Sequence, residues 1–66
     1  MTIKVVELIG SSPKSFEDAI NLAIKRASKT TRGITGLDVV GQNAVVDNGK
    51  IVEYKVNLKI AFKVEE

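Results

Sequence analysis

Seven apolar residues at every second position, Val52, Tyr54, Val56, Leu58, Ile60, Phe62 and Val64, alternate with Glu53, Lys55, Asn57, Lys59, Ala61 and Lys63. Side chains of a strand point alternately to its two faces, so this run predicts a long strand over residues 51–64 with one buried and one polar face. Just before it, Asp47-Asn48-Gly49-Lys50 is a tight hairpin signal, with Asn48 and Gly49 suited to positive φ. Asp47-Asn48-Gly49 superficially resembles a calcium loop, but the remaining ligand positions and the closing Glu are missing, so it is taken as a turn.

Three more segments precede the turn. Residues 3–9 are β-branched and aliphatic and run into Gly10-Ser11-Ser12-Pro13, which predicts a strand and then a turn. Ile3, Val5 and Ile9 fall on one of its faces and Val6 and Leu8 on the other, and a strand apolar on both sides is usually covered on both. Over residues 15–31, Phe16, Ala19, Ile20, Ala23, Ile24 and Ala27 follow the spacing of one amphipathic helical stripe. Ser15 and Asp18 form a capping-box-like start, and Glu17 and Asp18 suit the positive end of the helix dipole. Lys25, Arg26, Lys29 and Arg32 gather at the other end, with Gly33 as the expected stop. Leu22 lies off the stripe, as a lone exposed apolar residue or a contact to another subunit. Residues 37–46 form the remaining strand, with Leu37 and Val39 on one face, Val40 and Ala44 on the other, and a bulge or close approach expected at Gly41.

The order is strand, helix, strand, strand: an α+β domain of the β-α-β-β kind, spanning residues 1–66 as one unit. The last two strands pair as an antiparallel hairpin. A right-handed crossover through the helix sets the first strand parallel to the second, with the long strand between them. One helix covers only part of a sheet face, which leaves apolar surface on the first two strands, Leu22, Ile34 and Leu37. A domain of 66 residues buries only ~60% of the surface of its unfolded chain, and small folds are usually stapled by disulfides, a metal or oligomerisation. With no cysteine and no histidine, thiolate and imidazole sites are excluded and association with other copies is the expected staple.

The same absences remove the commonest general base, and no nucleophile elbow, P-loop or dinucleotide-binding glycine motif occurs. Glu7, Asp18, Asp38 and Glu53 show no paired spacing, so no enzymatic activity is expected. The net charge of +2 is spread along the chain rather than gathered in a basic patch, and nucleic acid is not expected as a partner. No apolar run reaches transmembrane length and no secretory signal pattern opens the chain, so a cytoplasmic protein without membrane partners is expected.

Taken together, the segments resemble a known family. Residues 6–19, VELIGSSPKSFEDA, are similar to the opening of the dodecins, in which V-E-L-x-G-x-S precedes a helix beginning S-[WF]-E-x-A. Ala27-Ser28-Lys29-Thr30 resembles the helix end A-x-K-T, and Tyr54-Lys55-Val56-Asn57-Leu58-Lys59-Ile60-Ala61-Phe62 resembles the last strand, Y-Q-V-x-L-x-V-x-F. The resemblance implies a hollow homododecamer that binds and stores flavins, FMN or riboflavin, between subunits without catalysis. It also implies the pocket positions. Gly36 stands where the family has a stacking tryptophan, and Leu37 beside it is a further expected pocket position. Lys55 replaces the glutamine that bonds the isoalloxazine edge. Asn43 aligns with an arginine that some bacterial members direct at phosphate, and Lys63 keeps a basic group where others often have arginine. Glycine offers no ring to stack, and lysine donates but cannot accept. The expectation is a dodecin-like shell with weakened or lost flavin binding that holds another small ligand. The alternatives are a flavin-storing dodecin with altered stacking, and a structural or calcium-holding shell.

Overall fold

The structure, a computed structural model, describes residues 1–64. It consists of β1 (Thr2–Ser12), α1 (Phe16–Ala27), β2 (Ile34–Asp47) and β3 (Lys50–Val64). The three strands form one sheet in the order β1-β3-β2, with both outer strands antiparallel to β3. The long alternating strand is thus the centre of the sheet. Val56, Leu58 and Ile60 are fully buried there, and each contributes roughly 1.5–3 kcal/mol by leaving water. The hairpin turn has φ of 53° at Asn48 and 77° at Gly49, the two positive values that a type I′ turn requires.

The helix lies on one sheet face through the expected stripe. Ala19 and Ala23 are buried, and Phe16, Ile20, Ile24 and Ala27 pack against the same cluster together with Val6, Leu8, Ile34 and Leu37. The Phe16 ring meets Tyr54 edge-on, with centroids 4.9 Å apart and planes at 81°. Ser15 is the N-cap, its hydroxyl accepting from the Asp18 N–H at 3.0 Å. The Asp18 carboxylate does not return to Ser15 as a full capping box would. It accepts instead from the hydroxyl of Ser12 at 2.5 Å, and the Lys14 N–H donates to that same hydroxyl at 3.0 Å.

Four local expectations are corrected. Gly10, Ser11 and Ser12 belong to β1 rather than to a turn, because Gly10 lets the helix approach the strand: a Cβ there would stand 2.5 Å from the Ala19 carbonyl oxygen. The helix ends at Ala27, not Thr31, with Ser28 as its C-cap. Lys29 and Arg32 therefore lie beyond the last turn, and Gly33 (φ 74°) opens the way into β2, its carbonyl accepting from the Lys63 N–H at 3.0 Å. The strand β2 begins at Ile34, with register shifts between Ile34 and Gly36, Val39 and Gly41, and Val45 and Val46. The shift next to Gly41 inserts one residue, so Ala44, paired with Tyr54, comes to the same face as Leu37 and Val39, paired with Ile60 and Leu58. An extra residue in one strand of a pair reverses the parity of everything after it.

The molecule is elongated, 51 × 20 × 13 Å, with a radius of gyration of 13.5 Å. A compact chain of this length has about 11 Å. No helix among the described residues is long and apolar enough to cross a membrane.

Candidate functional site

The face of the sheet turned away from α1 is open. Its rows follow from the register: Ile3 and Lys63; Val5, Ala61 and Gly36; Glu7, Lys59 and Asp38; Ile9, Asn57 and Gly41; Ser11, Lys55 and Asn43. Ile3, Val5 and Ile9 are exposed on it, so the first strand's second apolar face has no cover within one subunit.

Of the five positions expected to line a pocket, Gly36, Asn43, Lys55 and Lys63 lie on this open face. Leu37 does not: it pairs with Ile60 and packs, half-buried, against the core under the helix. The four divide into two places. Lys55 pairs with Asn43, and Gly36 pairs with Ala61, two residues from Lys63. Lys63 lies eight residues along the strand from Lys55, about 26 Å at the rise of a β-strand. One subunit cannot close both places around one small ligand.

Gly36 is bare for a reason other than backbone strain. Its φ lies outside the left-handed region, and a Cβ built there meets nothing within 4 Å. With Ala61 beside it, the row Val5, Ala61, Gly36 carries little side-chain bulk and adjoins the charged row Glu7, Lys59, Asp38. Lys59 stands between the two carboxylates in register. Glu53 accepts a short hydrogen bond from the Ser11 hydroxyl. No group of three Asp, Glu, His or Cys side chains suited to a metal is found among the described residues.

A concavity lies on the helix side of β1. A groove of about 550 Å³ runs between residues 8–11 of this edge strand and Leu22, Ala23, Arg26 and Ala27 of α1. Sequence reasoning did not find it. Its one signal was Leu22, off the core stripe and exposed along the groove.

The model of the family described as Dodecin matches residues 2–65. Among curated proteins, the chain is 36% identical to the dodecin of Thermus thermophilus over 63 residues, 96% of this chain and 91% of that one. It is 35% identical to the calcium dodecin of Mycobacterium tuberculosis over 60 residues, 91% of this chain and 84% of that one. The solved structure of dodecin from Streptomyces coelicolor superposes with a TM-score of 0.96 at 32% identity, covering 98% of this chain and 93% of that one.

Proposed function

The chain belongs to the dodecin family, and from that premise we propose that it is a self-associating shell protein that binds and stores a small molecule between subunits, with flavin binding weakened or lost. Binding between subunits follows from the separation of the pocket positions: Lys55 with Asn43, and Gly36 near Lys63, lie too far apart for one subunit to close around a ligand. The observation that carries the weakened flavin binding is Gly36, an open position with nothing within 4 Å of a Cβ. The place where the family offers a stacking ring holds no side chain here. An aromatic wall supplies about 0.5–1.5 kcal/mol beyond area burial, and pockets for planar ligands are built on such walls. Lys55 adds to this, because an ammonium cannot accept the N–H of a ring edge. The polar side chains at the expected pocket positions, Lys55, Asn43 and Lys63, fit a ligand with anionic or carbonyl oxygens.

FMN added to the purified protein is expected to keep its fluorescence. The paired change Gly36→Trp with Lys55→Gln is expected to produce stoichiometric quenching, since the added ring enters open space. Strong quenching by the unchanged protein would favour flavin storage with altered stacking. A double variant that gained nothing would remove these positions from the pocket.

The second reading, a calcium-holding shell, draws on the name of the Mycobacterium tuberculosis relative. It requires Glu7, Asp38 or Glu53 to converge from several subunits, with Lys59 displaced from between two of them. Native mass spectrometry of the assembly, read for retained small molecules and ions, separates the two.

A further inference from the structure

We infer that Glu53, held by Ser11, selects the ligand on the open face: it supplies beside Lys55 the acceptor that lysine lacks, and the pair takes a small ring with an N–H next to a carbonyl, a cyclic imide or ureide. The inference deepens the small-ligand reading above and rests on it. Strand β1 ends at Ser12, opposite Tyr54, so Glu53 has no residue of β1 across from it. Its carboxylate reaches diagonally instead and accepts from the hydroxyl of Ser11, the residue that stands opposite Lys55. Directly opposed residues of an antiparallel pair have Cβ atoms about 4.5–5.5 Å apart. The bond thus draws the carboxylate toward the row of Lys55, from a position about 7 Å away along the strand. Glu53 and Lys55 are both half-buried, whereas Lys59 and Lys63 on the same face are exposed.

The row then offers an acceptor, a donor and an amide: Glu53 drawn to Ser11, then Lys55, then Asn43 paired with Lys55 on its other side. The Glu53 Oε2 accepts from Ser11, and a carboxylate keeps lone pairs for a further donor. An ammonium donating to a carbonyl and a carboxylate accepting from the adjoining N–H are both charge-assisted bonds, stronger than neutral ones. A bare anion would meet the like charge of Glu53 as well as Lys55, so the row discriminates against it. Gly36 pairs with Ala61, six residues along β3 from Lys55, about 20 Å. Within one subunit, loss of the stacking ring therefore leaves this edge contact untouched.

Uracil and N3-methyluracil differ only at the N–H between the two carbonyls. Each is offered at millimolar concentration to the unchanged protein, and binding is read by saturation-transfer NMR. Uracil is expected to bind about tenfold more tightly, the weight of one hydrogen bond to a charged group. Glu53→Ala and Ser11→Ala are expected to erase the preference, and Glu53→Gln, whose amide oxygen still accepts, to retain part of it. A preference absent from the unchanged protein, or undiminished in Glu53→Ala, overturns the inference. Gly36→Trp gives a second arm, in which riboflavin and N3-methylriboflavin are compared by fluorescence quenching. The same preference is expected there, with the same loss on adding Glu53→Ala. Equal quenching of both flavins leaves the pocket in place and removes the edge contact. No quenching of either removes Gly36 from the pocket, and the inference with it.

Discussion

Gly10 of β1 faces Ala19 of α1 so closely that a single added carbon would stand 2.5 Å from the Ala19 carbonyl oxygen and 2.9 Å from the Ala23 Cβ. The helix sits on the sheet at a distance set by the missing side chain on one partner and the methyl groups on the other. A carbonyl in a helical ladder cannot swing aside, so relief requires the helix to move. Gly10→Ala is expected to destabilise the fold by about 1–3 kcal/mol, the cost of overpacking a closed core. Thermal melting at fixed protein concentration checks this, and an unchanged melting temperature would contradict the close approach.

Ser12 joins the end of β1 to the start of α1. Fully buried, it donates to Asp18 and accepts from the Lys14 N–H. Removing its hydroxyl strands both partners, and a buried polar group left unpaired costs about 1–3 kcal/mol. Ser12→Ala is expected to lower the unfolding free energy by that amount, read as a lower denaturant midpoint at unchanged m, with increased hydrogen exchange at Lys14 and through the first helical turn. Exposed Thr2, at the opposite end of the same strand, serves as the control: Thr2→Ala is expected to change little.

The hairpin turn makes a third case. Gly49 has φ of 77° with nothing within 4 Å of a Cβ, so a substitution there is opposed by backbone conformation alone. Gly49→Ala is expected to cost about 1–2 kcal/mol, the penalty of a left-handed L-residue. Asn48→Gly is expected to be nearly neutral, because both residues tolerate that region. Equal losses from the two changes would rule out a type I′ turn.

How much of this was legible beforehand varies by element. The period-two run from Val52 to Val64 fixed β3 as the central strand, because alternation over that length admits no other regular structure. The stripe from Phe16 to Ala27 was equally plain. Ends were harder to read. Gly10-Ser11-Ser12 has turn composition, yet it stays in β1 because the helix needs Gly10's emptiness and Asp18 needs Ser12's hydroxyl. Gly33 has the composition of a helix stop, yet the helix ends six residues earlier, at Ala27. The face assignment in β2 failed at Ala44, since one inserted residue near Gly41 reverses parity and a sequence does not reveal which residue is extra. Leu37 adjoins Gly36 in the chain, but alternation puts it beneath the helix and away from the open face.

The amino-acid order alone determined the elements and their sequence along the chain, because periodicity is a property of the string. Only the folded chain decided which surfaces look outward together: the bare row at Gly36, the separation of Lys55 from Lys63, and the groove between β1 and α1. The physical reason is that these depend on register and bulges, which strand pairing across long sequence separations sets and local propensity does not.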